Sequence, residues 1–365
     1  MSSAGPPRIC AINSERDRPD GGRGSLARVH PASISVPATE PRFLPAPGHG
    51  FAIGDHEPLS VGLRRVTVSS FDDALAAVAS EPMSVACHEI RKTTKRLRAL
   101  LRLVRPGLGD ERYRVENAML RDTARLLAPL RDADVRVLTL DSVRERFDSQ
   151  LRPTAFSELA DRLAERRRRV FDGALDSEEW GKAAYALRSA RARYAAWPVD
   201  EEAARAHGMK VIRHDFSSVA RGLGETYARG RQEMAEAGRR PTADNFHSWR
   251  KRAKYLRHQV EIITPLFPEV LDGYGSALAR LGDVLGQEHD LVELLRFLAS
   301  RPDLASDPVG RSMLVALSQH RRAELQTAAM SLGSRVYAES PDRFIRRIGD
   351  YWTAWDSPVP VGYTD

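Results

Sequence analysis

From Phe71 onward, apolar residues recur every three or four positions, helix formers fill the gaps, and strict apolar–polar alternation is absent. That period predicts α-helices throughout. Breaks stand at "SEPMS", "RPGLGDE", "DSQLRPT", "AAWPVDEE", "AGRRPTADN", "TPLFPE" and "SRPDLASDP", where Pro, Gly and Asp cluster. The segments between them run about 15–25 residues, too long for ordinary strands.

Two of the predicted helices share one layout. "CHEIRKTTKRLRALLRLVRP", Cys87 to Pro106, and "FHSWRKRAKYLRHQVEIITP", Phe246 to Pro265, both carry a His followed by a run of Arg and Lys. His88 matches His247, Arg91 matches Arg250, Lys92 matches Lys251, Lys95 matches Lys254, Arg98 matches Arg257 and Pro106 matches Pro265. An Asp-containing helix follows each, "LLAPLRDADVRVL" and "LGDVLGQEHDLVELL". Trp197 and Trp355 close the two halves. A duplication of about 158 residues explains this; each unit is too long for a solenoid repeat and suits a four-helix bundle. The expected architecture is all-α: two four-helix bundles, residues 61–200 and 201–357, related by a pseudo-two-fold axis, with residues 358–365 a short tail.

On a wheel of 100° per residue, His88, Arg91, Lys92, Lys95, Arg98 and Arg102 share one side, with Ile90, Leu97, Leu101 and Val104 opposite. In the second helix His247, Arg250, Lys251, Lys254, Arg257 and His258 group together, facing away from Trp249, Leu256, Val260 and Ile263. Ordinary exposed faces intersperse Glu, because like charges at i, i+4 repel; here Glu261 is the single acidic member. A cationic stripe written twice makes sense if an anion lies along it, Arg supplying a planar fork for phosphate oxygens and Lys a mobile point charge. The two His residues fit a neutral imidazole donating to phosphate, or one protonated beside it, better than a metal ligand, since no partner stands at ligand spacing. His258 and His320 are weaker candidates for the same surface.

Composition sharpens the charge argument. The chain of 365 residues carries a formal charge of +7. Residues 1–60 hold six Arg and six acidic residues, nine Pro and seven Gly, so they contribute no net charge and read as a disordered tail. The excess therefore belongs to the remainder, which points to a polyanionic partner. Cys10 and Cys87 make neither a disulfide framework nor a metal knuckle. No apolar run is long enough for a membrane span and no signal peptide is legible, so a cytoplasmic protein is expected.

The two cationic segments, with "LRDADV" and "LGQEHDLVELL" on the following helices and "YARGRQEMAEAGRRPTADNFHSWRK" ahead of the second, resemble the CHAD family, the conserved-histidine α-helical domains, over roughly residues 60–357. The resemblance implies two four-helix bundles around a basic central pore that binds inorganic polyphosphate, often at polyphosphate granules. It puts His88, Arg91, Lys92, Lys95, Arg98, His247, Arg250, Lys251, Lys254 and Arg257 in the pore, with Arg131, Arg229 and Arg231 as weaker additions. It implies neither cofactor nor metal. Tyr255 opposite Arg96 departs from the pattern. The triphosphate-tunnel domain that often precedes CHAD is not legible in residues 1–60, so a binding protein rather than an enzyme is expected.

Two alternatives compete. Backbone phosphates of nucleic acid attract the same side chains, although the stripes are poor in base-stacking aromatics and base-edge readers. His214–Asp215 and His289–Asp290 each form a His-Asp dipeptide of the kind used by HD-type phosphohydrolases, without the further ligands those enzymes need. No Walker-type loop, nucleophile elbow or HExxH motif occurs.

Overall fold

The computed structural model describes residues 50–357 except 56, 176, 207, 305 and 306. Thirteen α-helices run in order: α1 (Leu59–Ser80), α2 (Met83–Leu103), the single turn α3 (Arg105–Leu108), α4 (Asp110–Leu126), α5 (Ala128–Arg146), α6 (Ser157–Leu175), α7 (Glu178–Ala195), the short α8 (Glu201–Ala206), α9 (Ser217–Arg239), α10 (Ala243–Ile263), α11 (Pro268–Ser300), α12 (Pro308–Val336) and α13 (Pro341–Asp356). No strand occurs among the described residues. Pro129 in the first turn of α5 and Pro341 in that of α13 start helices where a missing N–H costs nothing. The sequence breaks above did not include these two.

The packing order repeats. α1 lies on α2 and α7, α2 on α4, and α5 on α6; α9 lies on α10 and α13, α10 on α11, and α11 on α12. Each half holds more than the four helices expected: α1, α2, α4, α5, α6 and α7 besides the short α3 and α8 in the first, and α9 to α13 in the second. The 33-residue α11 stands where the first half breaks at Leu127 into α4 and α5. The halves meet where α2 packs on α9 and α10, and α5 on α11.

The apolar cores do not divide by half as separate bundles would require. One core joins Leu63, Phe71, Leu97, Tyr194, Tyr227, Trp249, Leu281 and Phe344. The other joins Leu140, Phe147 and Leu163 to Leu294, Leu298 and Leu314. Both draw on both halves, because the elements that cross the boundary present apolar stripes to each other.

Residues 1–49 and 358–365, expected as tails, lie outside the described residues. Residues 50–60 correct the expected boundary. Phe51 and Ile53 are 5% and 2% exposed, Ile53 N–H donates to the Ile262 carbonyl at 3.1 Å, and Glu57 pairs with Arg65 at 2.7 Å. Composition misled here because two buried side chains are enough to anchor a Pro/Gly-rich segment. A chain beginning at Val61 is expected to lose about 5 kcal/mol relative to one beginning at Gly50, from Phe51, Ile53 and Leu59 leaving the core. Denaturant melts of the two truncations check this.

Candidate functional site: a cationic cluster shared by two helices

The opposed stripes seen in sequence decide how α2 and α10 sit. Ile90, Leu97, Leu101 and Val104 are fully buried, as are Trp249, Leu256, Val260 and Ile263, so the cationic sides turn toward the space between the halves. Along the α2–α10 contact, Arg96 forms a salt bridge with Glu261, and Arg102 lies 4.1 Å from the Tyr255 ring centroid. Between these, Gln259 donates to the Ala99 carbonyl at 3.2 Å. Arg96 and Tyr255 are matching positions of the two repeats, as are Arg102 and Glu261. The departures that looked like a thinned stripe are one contact written twice, once as an ion pair and once as cation–π.

One turn nearer the N-terminus of each helix, the charges are not matched. Arg91 and Lys95 of α2, Arg131 of α5, and Arg250 and Lys254 of α10 lie within electrostatic reach of one another and of the Asp290 carboxylate on α11, with Asp132, Asp283 and Glu288 as further carboxylates at the margin. None of the five cations forms a salt bridge within 4.0 Å to a described residue. Arg91 donates one bond, to the Ala124 carbonyl at 2.8 Å. The Nε atoms of Arg91 and Arg250 are buried without a partner. Gly282 and Gly286 of α11 lie alongside: a Cβ at Gly286 would come into ordinary contact, 3.9 Å, with both Arg250 Nε and Lys254 Nζ.

The electrostatic cost shows in the titration. Burial, then Arg91, Arg250 and Arg131, pull Lys95 down to about 8. Burial, then Arg250 and Lys95, pull Lys254 down to about 7. Burial raises the Asp290 carboxyl, against the opposing pull of the surrounding cations. His88 and His247 are also lowered, chiefly by burial and then by neighbouring cations, which leaves both imidazoles neutral at pH 7. His289 falls to about 3 for the same reasons, and its ring centroid lies 4.4 Å from that of His247.

A polyanion would restore both ammonium charges, so its binding takes up protons. Between pH 7 and 8 the uptake is expected to be roughly one proton per site, and affinity falls as pH rises through that window. The free protein goes the other way: both lysines lie below the ordinary 10.5, so the unfolded chain holds more protons, and stability from these groups rises as pH climbs from about 7 toward 10.5. Calorimetry in buffers of different ionisation enthalpy reads the uptake directly; none at pH 7.5 would exclude the cluster as the binding locus.

The other candidates separate. Lys92 pairs with Glu89 at 2.8 Å, so the stripe is not uncompensated along its whole length. Arg98 donates to Asn117 at 3.1 Å. Lys251 is exposed and Arg257 is half-buried on the far part of α10. Arg231 donates to the Tyr337 carbonyl at 3.3 Å, and Arg229 is exposed on the same helix. His258 contacts Glu261 at 3.1 Å and the Phe51 ring; His320 contacts Glu324 at 3.5 Å and Phe147. Neither histidine belongs to the cluster. His214 is a structural staple: its Nδ1 accepts from Leu59 N–H at 2.9 Å while Nε2 donates to Asp356 at 2.9 Å. Asp215 accepts from Ser218 N–H at 3.1 Å. Arg131, a weaker candidate by sequence, and His289 and Asp290, outside the sequence candidates, also lie at this cluster. Their helices carry no matching cationic stripe, and the packing of α5 on α2 and of α11 on α10 brings them there.

Among the described residues, no group of three or more His, Cys, Asp or Glu side chains could hold a metal ion, and no helix is long and apolar enough to cross a membrane.

An all-helical protein with a repeated helix order and a shared cationic cluster is a narrow class. A model of the CHAD domain matches residues 68–299, and the chain belongs to that family. The crystal structure of the CHAD domain from the plant Ricinus communis aligns with a TM-score of 0.57 over 80% of this chain and 96% of that one, at 20% identity, a likeness of fold. No curated protein matches the chain.

Proposed function

We propose that this protein binds inorganic polyphosphate in a cationic channel between its two halves, without hydrolysing it, and that it works in the cytoplasm at polyphosphate granules. The carrying observation is the cluster of Arg91, Lys95, Arg131, Arg250 and Lys254, five cations from both halves with no salt-bridge partner among the described residues. Folding them together is unfavourable in the free protein and becomes favourable when a dense anion enters. Polyphosphate carries its charges on a thin chain that can pass between packed helices, and Arg and Lys meet its oxygens directly.

The pseudo-two-fold relation of the halves is part of the same reading. Its support is the reciprocal contact of α2 with α10, in which Arg96 meets Glu261 and Arg102 meets Tyr255. Such reciprocity is the signature of an isologous interface. The axis then passes near Ala99, and each half presents matching cations, Arg91 with Arg250 and Lys95 with Lys254. His88, Lys92, Arg98, His247, Lys251 and Arg257 extend the channel on either side, and the more distant Arg229 and Arg231 would meet only a long polymer.

Nucleic acid is the rival partner, since its phosphates attract the same cations. Against it stands that the exposed large aromatics among the described residues, Tyr185 and Phe267, lie on neither α2, α5, α10 nor α11, where base stacking would need them. Titration with long-chain polyphosphate and with single- and double-stranded DNA and RNA, at matched phosphate concentration and salt, decides between them. Polyphosphate is expected to bind at least tenfold more tightly, about 1.4 kcal/mol; equal affinity and mutual competition would favour a general polyanion binder.

A further inference from the structure

A cleft of about 190 Å³ opens off the cluster between α5, α11 and α12. Arg131 and Asp290, both members of the cluster, line it together with Gln287 and Arg321. Leu138 of α5, Leu291 of α11 and Leu325 of α12 supply apolar wall, with Thr139 and Ser142 among the remaining lining residues. Leu138 remains 59% exposed.

An unbranched phosphate chain gains nothing from these walls, because every unit of it is a hydrated anion. Apolar surface at the edge of a cationic site suits a ligand with a charged tail and an uncharged ring. A volume of this size admits a ring system. Polar groups stand where a heteroaromatic edge would meet them. Gln287 accepts from Arg321 at 3.2 Å through its carbonyl oxygen, which leaves the amide N–H groups free to donate.

We propose that the cleft takes the base of a nucleoside polyphosphate whose phosphate tail lies among Arg91, Lys95, Arg131, Arg250 and Lys254. The proposal rests on the cluster being a phosphate site. It makes the protein a receptor for two related ligands, a long polymer and a nucleotide, that compete for the same cations. Only the nucleotide uses Leu138.

Calorimetric titration of the full chain with ATP and with tripolyphosphate, both free of divalent metal and at matched salt, tests it. Tripolyphosphate carries the greater charge, so the cluster alone would favour it. ATP is expected to bind about threefold more tightly instead. Leu138→Ser, at an exposed position and therefore neutral to folding, should lower ATP affinity about fivefold and leave tripolyphosphate within about twofold. Weaker binding of ATP than of tripolyphosphate, with no response to Leu138→Ser, would overturn the cleft proposal while leaving the cluster intact. Binding of neither would overturn it too, and failure of long polyphosphate as well would remove the phosphate site on which it rests.

Discussion

Replacing Arg91 and Lys95 together with Ala, or Arg250 and Lys254, is expected to weaken polyphosphate binding at least tenfold in either case, about 1.4 kcal/mol. Each pair removes two of the five cations, and the halves are coupled because one polymer touches both. The salt dependence should flatten as well. By analogy with nucleic acid, log K against log salt loses roughly 0.7–0.9 per phosphate contact removed, so the slope should fall by about 1.5. Folding should hold or improve. Lys95 and Lys254 are held at about 8 and 7 by burial among other cations, so the native state opposes their charge and their loss relieves it. Titration at several salt concentrations, with melting curves alongside, checks all three effects. Unchanged affinity in either variant, or a large loss of stability in both, would make the cluster structural.

The largest expected effect of a single substitution on stability lies elsewhere, at the crossing of α9 with α2. Gly222 faces the end of α2, and a Cβ there would stand 2.7 Å from the Leu103 carbonyl carbon and closer still to the Leu103 and Arg102 oxygens. These are backbone atoms of a packed helix, with no flexible side chain to swing away. Gly222→Ala is therefore expected to cost about 3 kcal/mol, the upper part of the range for overpacking. It forces the halves apart at the joint that holds Arg91 and Lys95 near Arg250 and Lys254, so polyphosphate affinity should fall with it. Gly273→Ala, where an added Cβ meets nothing within 4 Å, is the control and should gain a few tenths of a kcal/mol from helix propensity. Denaturant melts of the two variants make the comparison; equal stability would mean that α9 and α2 slide apart at little cost.

Most of the helical architecture was legible from local pattern. The three-and-four spacing marked the helices, and Pro, Gly and Asp marked most of the breaks, since a 3.6-residue period and helix-capping chemistry are properties of short stretches. The break at Leu127 was harder to read. Pro129 signalled it, but the apolar period runs on across it, and the matching α11 in the second half is continuous. The Phe51–Ile53 segment was illegible for the opposite reason: its two apolar anchors sit in a composition that elsewhere cannot build a core. Two of its partners, Ile262 and His258, are more than 200 residues away along the chain.

The site divides along the same line. Sequence by itself determined that α2 and α10 would each carry a cationic side opposite an apolar one, that the two would match position by position, and that Arg91, Lys95, Arg250 and Lys254 would be candidates. Those are statements about one helix at a time. Tertiary structure decided which cations are ion-paired: Lys92 pairs with Glu89 and Arg96 with Glu261, and Arg98 bonds Asn117, while the four others form no salt bridge to a described residue. It also brought in Arg131 and Asp290 from helices with no stripe of their own, and turned Tyr255 and Glu261 from blemishes into two copies of one contact. The physical reason is that charge patterning is local, whereas burial, and with it the pull of Lys254 down to about 7, depends on which helices pack against each other.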